Sequence, residues 1–245
     1  MMRSGNHRYT LIRAARDWWS ERAPKLGIMG AVRQLMREMY EFVRDSTPER
    51  KRLRYGDIDY DWEHRVDTTE ATVSNATRFL GTLAISLYQP TEPALFHQMI
   101  AQLPIDHREF TFVDIGAGKG RTLLMASDYP FQRILGVELF EELNHIAKEN
   151  IRRYKAERQK CFAIESQCLD AREFVFPQEP LVVYLFNPLP ENSFRRVIDN
   201  LELSLQQKPR EIYIVYHNPE HRVFLDRVPW REFAVTGQFA IYRTA

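Results

Sequence analysis

The sequence has little cysteine, and this excludes two kinds of stabilising framework. Only two of its 245 residues are cysteine, Cys161 and Cys168. They stand in or beside one apparent strand, where a rise of about 3.3 Å per residue keeps them too far apart to form a disulfide within it. A disulfide framework and a zinc site with paired cysteines are therefore excluded. A reducing, cytoplasmic compartment is expected.

Long apolar runs and a strong net charge are also lacking. The longest uncharged run near the predicted core, from Phe79 to Pro90, is too short to span a bilayer. Arg3 and Arg8 are followed by no apolar stretch of the kind that a signal peptide contains. The formal net charge is +1, so no overall charge attracts nucleic acid or a membrane. No membrane partner is expected.

The charge is nevertheless uneven, because the first part of the chain is basic. Residues 1–54 hold 13 Lys and Arg residues against 6 Asp and Glu residues. Two helices are predicted there, over Tyr9 to Ala23 and over Ile28 to Arg44, with the break at Pro24 and Gly27. These helices either dock on an acidic domain or contact an anionic partner such as RNA or an acidic protein.

A linker follows the two basic helices. The acidic and aromatic stretch from Tyr55 to Thr69 has no clear period and is predicted to be an ordered loop. We therefore expect a helical appendage with its linker loop over residues 1–70 and a second domain over residues 71–245.

Glycine is scarce, yet three of the ten glycines fall in the stretch Val113-Asp114-Ile115-Gly116-Ala117-Gly118-Lys119-Gly120. The β-branched and aromatic residues before the glycines predict a buried strand, and the residues after them predict a helix. Strand, glycine turn and helix form the first unit of a doubly wound α/β fold, in which ligands bind where the turn opens. Glycine lets the backbone turn sharply and lets a ligand approach with no Cβ in the way.

The spacing of the glycines distinguishes this loop from the P-loop and from the dinucleotide-binding loop. A phosphate-binding P-loop needs Gly-Lys-Ser/Thr at its end, but here Lys119 is followed by Gly120. The dinucleotide fingerprint Gly-x-Gly-x-x-Gly has its third glycine where this chain has Arg121. The sequence thus argues against a P-loop and against an NAD site. Lys119 and Arg121 are predicted to be surface residues at the start of the helix.

Strands and helices alternate along the rest of the chain. The run Leu181 to Phe186 is unbroken and apolar, which is typical of a central parallel strand buried on both faces. Residues Thr236 and Gly237 predict a hairpin turn. The other strands are predicted over Arg133–Glu138, Cys161–Ser166 and Glu211–Tyr216. The expected fold class is α/β, with a doubly wound, mostly parallel sheet, a C-terminal antiparallel hairpin and an N-terminal helical appendage.

The glycine stretch, followed by Gly136-Val137-Glu138 at the end of the next strand, resembles the class I S-adenosylmethionine (SAM)-dependent methyltransferases. The resemblance covers roughly residues 88–245 and implies a seven-stranded sheet with SAM as cofactor. It implies that Glu138 accepts hydrogen bonds from the ribose hydroxyls, that the residues after strand three bind adenine, and that the glycine loop binds the methionine end. The cofactor-binding residues implied here are Asp114, Gly116, Ala117, Gly118, Gly120, Glu138, Leu139, Asp170 and Ala171. Lone acidic residues at strand ends are often helix N-caps instead.

The stretch Tyr88-Gln89-Pro90-Thr91 resembles a Tyr-x-Pro-Thr element of protein-lysine methyltransferases. In that family the element closes over the methionine end of SAM, which implies that Tyr88 and Thr91 contact the cofactor. The alternative is a helix start set by proline, with Thr91 as the N-cap.

The stretch Asn187-Pro188-Leu189-Pro190 resembles the Asn/Asp-Pro-Pro-aromatic motif of amino-group methyltransferases. There the Asn side-chain oxygen and the following carbonyl accept the hydrogens of the amine, which implies that Asn187 and Pro188 contact the acceptor. Leu189 and Pro190 depart from the motif, and no aromatic residue is present to stack on a flat nucleobase. His217, at the end of strand five, is a candidate base.

The expected function is transfer of a methyl group from SAM to an acceptor that the sequence does not identify, with an amino nitrogen favoured by the Asn-Pro element. Small molecules, protein side chains and nucleic acids remain open as acceptors. The alternative is an adaptor, with or without bound SAM, whose basic N-terminal helices hold RNA or an acidic protein. No metal site is predicted.

Overall fold

A seven-stranded sheet forms the centre of the fold. The structure is a computed structural model that describes residues 16, 19–20, 23–34, 36–37, 58–69, 90–186 and 189–245. The helices are α1 (Ile58–His64), α2 (Pro93–Ile100), α3 (Arg121–Ala126), α4 (Glu141–Arg153) and α5 (Glu191–Gln207). The strands are β1 (Thr111–Ile115), β2 (Arg133–Glu138), β3 (Ile164–Cys168), β4 (Leu181–Phe186), β5 (Ile212–His217), β6 (Trp230–Val235) and β7 (Phe239–Thr244).

The strand order confirms the expected doubly wound sheet. The strands are arranged β3-β2-β1-β4-β5-β7-β6. Strands β1 to β5 are parallel, and β7 runs antiparallel to both β5 and β6. Since β1 pairs with β2 on one side and with β4 on the other, the chain reverses its direction of winding there. In open α/β sheets this switch point is where ligands bind, outside the carboxyl ends of the strands.

Two apolar layers cover the two faces of the sheet, and β1 contributes to both. Phe112 lies in the layer that also contains Phe96 of α2, whereas Val113 and Ile115 lie in the layer with Val197 of α5. Successive side chains of a strand point to opposite faces. Every residue of β1 is buried, and the strand therefore holds the glycine loop from within the core.

Most predicted strand bounds agree with the structure, and β2 and β4 agree at both ends. The third strand is the exception, because it begins at Ile164 and not at Cys161. The N–H groups of Lys160 and Cys161 donate to the carbonyl of Ser127 at the end of α3, so these residues pair with a helix end and not with β2. Both cysteines are free, as expected.

The N-terminal predictions are partly wrong and partly untested. Residues 23–34 are helical through the predicted break at Pro24 and Gly27, where Gly27 has a φ of 70°. The linker predicted as a loop contains α1. Most of the helix predicted over Tyr9 to Ala23 lies outside the described residues, and the division into domains at residue 70 stays a prediction. No helix within the described ranges is long and apolar enough to cross a bilayer.

Replacing Gly136 by alanine should destabilise the fold. A Cβ at Gly136 would lie 2.7 Å from Leu123 Cδ1 and 2.9 Å from Ala117 Cβ. Overpacking of this kind costs about 1–3 kcal/mol, and we expect thermal and urea unfolding to show the loss. Gly237→Ala is the matched control, because a Cβ there meets nothing within 4 Å. Equal stabilities of the two variants would contradict the packing described for β2.

Candidate functional site

The loop between β1 and α3 is built on three glycines in left-handed backbone conformations. The φ angles are 84° at Gly116, 55° at Gly118 and 84° at Gly120, a region that residues with a Cβ adopt only at a cost. The N–H groups of Gly116 and Ala117 donate to the carbonyl of Val137 at 2.8 and 3.0 Å. These two bonds fix the loop to β2 at the carboxyl edge of the sheet. We call residues 116–120 the glycine loop.

Glu138 joins the glycine loop to the segment that starts α4. Its Oε2 accepts the N–H of Gly118 and its Oε1 accepts the N–H of Phe140, each at 2.8 Å. The residue is only 5% exposed. Burial raises the pKa of Glu138 to about 7, although the backbone hydrogen bonds act in the opposite direction. Each carboxylate oxygen retains acceptor capacity, so Glu138 can also accept hydrogen bonds from a diol such as ribose.

Asp114 lies beneath the glycine loop and contacts α3. Its Oδ2 accepts a hydrogen bond from the hydroxyl of Thr122. The pKa of Asp114 is raised to about 7, mainly by burial; the hydrogen bond from Thr122 acts in the opposite direction, and the nearby Glu138 carboxyl contributes to the rise. The observed role of Asp114 is to brace the helix that follows the loop, and contact with the cofactor stays a prediction.

The residues expected to bind adenine follow β2 and β3. The N–H of Leu169 donates to the carbonyl of Glu138 at 3.0 Å, which places this segment beside the end of β2. Asp170 caps the 3-10 helix Ala171–Glu173 by accepting the N–H of Arg172 at 3.0 Å. Its Oδ2 also accepts a bond of 2.7 Å from the Arg172 guanidinium. The N-cap alternative is therefore observed for Asp170, and Arg172 would compete with an adenine amino group for its carboxylate.

A second polar group lies towards the ends of β4 and β5. The hydroxyl of Tyr184 is 2.8 Å from Thr91 Oγ1 and 3.1 Å from His217 Nδ1. Thr91 is not the N-cap of α2, because Glu92 takes that place and accepts the N–H groups of two α2 residues. The alternative role given to Thr91 is therefore wrong, and its side chain instead joins the element before β1 to β4.

Sequence reasoning missed Tyr184. A tyrosine inside an otherwise apolar strand was the available signal, because the hydroxyl of a buried tyrosine usually finds a hydrogen-bond partner.

His217 stacks on Phe186, its paired residue across β4 and β5. The ring centroids are 3.8 Å apart and the planes differ by 17°. Burial lowers the pKa of His217 to about 4, so the imidazole is neutral at physiological pH and binds a proton weakly. This favours a hydrogen-bond acceptor over a general base.

Three of the predicted site residues, Tyr88, Asn187 and Pro188, lie outside the described residues. Leu139 directly follows β2 and is partly exposed, whereas Ala171 follows β3 and is buried. No cluster of three or more potential metal ligands occurs among residues that the structure describes.

The prediction that Lys119 and Arg121 are surface residues is wrong. Lys119 is 0% exposed and Arg121 is 2% exposed. The segment of residues 58–69 covers both side chains. Lys119 Nζ lies 2.7 Å from Asp67 Oδ1, and Arg121 Nε donates to Thr68 Oγ1 at 2.6 Å.

Comparison with protein families gives one match. Residues 78–181 match the profile of the family described as "Histone methylation protein DOT1". The matched span contains the glycine loop, Asp114, Glu138 and Asp170, and it ends at the first residue of β4. A comparison with curated protein sequences gives no match.

A comparison with solved structures finds similar methyltransferases at low identity. An RNA methyltransferase from Salinibacter ruber in complex with S-adenosyl-L-homocysteine is 19% identical, with 64% of this chain and 92% of that chain covered and a TM-score of 0.46. A ribosomal protein L11 methylase from Lactobacillus delbrueckii subsp. bulgaricus is 14% identical, with coverages of 62% and 76% and a TM-score of 0.44. A predicted N6-adenine-specific DNA methylase from Listeria monocytogenes is 14% identical, with coverages of 64% and 51% and a TM-score of 0.48.

Replacing Glu138 by alanine should lower the stability of the protein as well as alter the site. The N–H groups of Gly118 and Phe140 would lose their acceptor, and a buried unsatisfied donor costs about 1–3 kcal/mol. We expect the free energy of unfolding to fall by about 2 kcal/mol or more, measured by urea unfolding. Glu165→Ala, at an exposed carboxylate of the edge strand β3, should change it by less than about 0.5 kcal/mol. Equal effects of the two substitutions would contradict the bracing role of Glu138.

Proposed function

We propose that this chain is a class I SAM-dependent methyltransferase that transfers the methyl group to the side-chain amine of a lysine in a protein substrate. The observation that carries the proposal is the DOT1 family match over residues 78–181. The description of that family names histone methylation, so its acceptor is a protein. The matched span also contains Tyr88-Gln89-Pro90-Thr91, the element that resembles one of protein-lysine methyltransferases.

The residues around the glycine loop fit SAM. Glu138 retains acceptor capacity for the two ribose hydroxyls while it holds Gly118 and Phe140. The left-handed glycines leave the backbone of the loop open to close approach. Asp114 and Glu138 are buried carboxyl groups near one another, and a ligand that carries positive charge favours their ionised forms.

The bound cofactor supplies a methyl group that is already activated, so the task of the protein is mainly to position the acceptor. A lysine side chain has an ordinary pKa of about 10.4, so its ammonium form must first lose a proton to solvent before the amine presents a neutral lone pair to the methyl group. His217 is neutral at physiological pH, because burial lowers its pKa to about 4. We propose that its Nε2 accepts a hydrogen bond from the amine, while Tyr184 fixes the ring through Nδ1. Asn187 and Pro188 are proposed to accept the other amine hydrogens.

The direct test incubates the protein with radiolabelled SAM and fractionated cell extract. We expect label in the protein fraction, removed by protease and retained after nuclease treatment. Acid hydrolysis of the labelled fraction should release methylated lysine. Label that nuclease removes would contradict the protein acceptor. Binding of RNA through residues 1–54 with no label in any fraction would favour the adaptor.

SAM affinity should rise with pH through the pKa of Glu138. In the free protein this pKa is raised to about 7, and the ionised form is the better acceptor for ribose. Below pH 7 a proton must leave before SAM binds, so the apparent Kd should be about tenfold weaker at pH 6 than at pH 8. Titration calorimetry in paired buffers measures this. Glu138→Gln should bind more weakly and lose part of the pH dependence, because Asp114, whose pKa is also raised to about 7, still titrates in that variant, whereas Glu165→Gln should keep the affinity and the full pH dependence. A pH dependence that is unchanged in Glu138→Gln would contradict the assignment.

Replacing His217 by asparagine should impair methyl transfer and spare cofactor binding. The loss of one hydrogen bond that orients the amine should lower kcat at least about tenfold, with the Kd for SAM within about twofold of the original. His145→Asn is the matched control, because His145 is exposed on α4. Equal kcat values for the two variants would contradict the proposal that His217 orients the amine.

A further inference from the structure

A segment of residues 58–69, formed by α1 and the turn after it, is attached to the glycine loop by buried side chains. We call it the docking segment. The first attachment is Lys119, which stands between Gly118 and Gly120. Its ammonium group donates to Asp67 Oδ1 at 2.7 Å and to the carbonyl of Thr69 at 2.5 Å. An ammonium group that is 0% exposed requires such partners.

The second attachment is Arg121, the first residue of α3. Its Nε donates to Thr68 Oγ1 at 2.6 Å, and its Nη2 lies 3.4 Å from Asp61 Oδ1. The guanidinium carbon lies 4.9 Å from the ring centroid of Tyr60. Asp61 in turn shapes the docking segment, because its Oδ2 accepts the N–H groups of Thr68 and Thr69 at 2.8 and 2.9 Å. One carboxylate therefore organises the turn and contacts the start of α3.

The third attachment is Asn150 of α4. Its Oδ1 accepts the N–H of Asp67 at 2.8 Å and its Nδ2 donates to the carbonyl of Asp67 at 2.7 Å. The same Nδ2 donates to the carbonyl of Lys119 at 2.9 Å. Asn150 is 2% exposed, and one amide thus holds the backbone of the docking segment and the backbone of the glycine loop together.

These three attachments meet at the part of the loop that the cofactor requires. Lys119 directly follows Gly118, whose N–H is held by Glu138. Glycines leave a loop many accessible conformations, and ordering them on binding costs affinity. The contacts of the docking segment with Lys119 and Arg121 remove much of this conformational freedom before SAM binds. They also give a role to Arg121, which stands where the dinucleotide fingerprint has glycine.

We infer that the docking segment is part of the cofactor site, and that Lys119, Arg121 and Asn150 are positioning residues that hold the glycine loop in the conformation that binds SAM. The inference rests on the proposed use of SAM. Because coupling between two binding events is reciprocal, SAM also stabilises the docking of residues 58–69. The segment acts through the loop and needs no contact with SAM itself.

The test replaces Lys119 by methionine, which keeps the length of the side chain and removes the ammonium group. We expect the Kd and the KM for SAM to rise about tenfold or more with kcat nearly unchanged, because the loop is loosened and the acceptor site is intact. Lys119→Arg should restore part of the affinity. Lys148→Met, at an exposed lysine of α4, is the matched control. A Kd for SAM equal to that of the original protein in folded Lys119→Met would overturn the inference.

Hydrogen exchange supplies one readout that does not depend on the cofactor and a second one that does. In the ligand-free protein, Lys119→Met should speed exchange of the Gly118 amide, and in the original protein SAM should slow exchange at Thr68 and Thr69. If the original protein binds no SAM, the proposed function fails, and exchange of the Gly118 amide still tests whether the docking segment orders the glycine loop. Unchanged exchange at Gly118 would overturn this ordering and would leave the proposed function untouched.

A second variant tests the inference even if Lys119→Met fails to fold. Asp67→Asn changes a carboxylate that is 36% exposed, and it should weaken SAM binding in the same direction. A folded Asp67→Asn that binds SAM as tightly as the original protein would likewise overturn the inference.

Discussion

The carboxylate of Glu138 is the group on which the rest of the site depends. It binds two backbone N–H groups from different parts of the chain, one in the glycine loop and one just before α4. The strand that carries it lies beside β1, so the same pairing that builds the sheet places Glu138 next to the loop. A buried carboxyl group is stable only with hydrogen-bond partners. The two contacts that satisfy Glu138 also hold the glycine loop next to the segment that starts α4.

Buried charges of both signs surround the glycine loop. Asp114 and Glu138 lie on the sheet side, while Lys119 and Arg121 reach the docking segment and its carboxylates. Burial of ions is costly unless each has close partners, and this cost accounts for the dense hydrogen bonding of residues 58–69. Chain segments far apart in sequence therefore form a single site. The stacked rings of Phe186 and His217 lie at the ends of β4 and β5, on the same carboxyl edge of the sheet.

The sequence was sufficient where a local pattern decides the structure. Strands β2 and β4 have apolar runs with clear ends. Glu138 ends β2, and its predicted role as the ribose acceptor came from the resemblance to the methyltransferases and stays a prediction. The burial of Lys119 and Arg121 was missed, since charged residues are usually exposed and the partner Asp61 lies 60 positions from Arg121. Helix α1 was missed because its seven residues are too few to show a period. The hydroxyl of Tyr184 was hidden inside an apolar run, and its partners become visible only when β4, β5 and the element before β1 are assembled.

The central claim is that SAM binds at the glycine loop and reaches Glu138. The most direct measurement is a nuclear magnetic resonance titration of the full chain labelled with ¹⁵N at glycine, of which there are 10. The account predicts that SAM and S-adenosylhomocysteine shift the amide signals of Gly116, Gly118 and Gly120, that Gly237 in the hairpin stays unchanged, and that NAD shifts none of them. Shifts confined to glycines outside the loop, or no shift at a millimolar concentration of SAM, would contradict it.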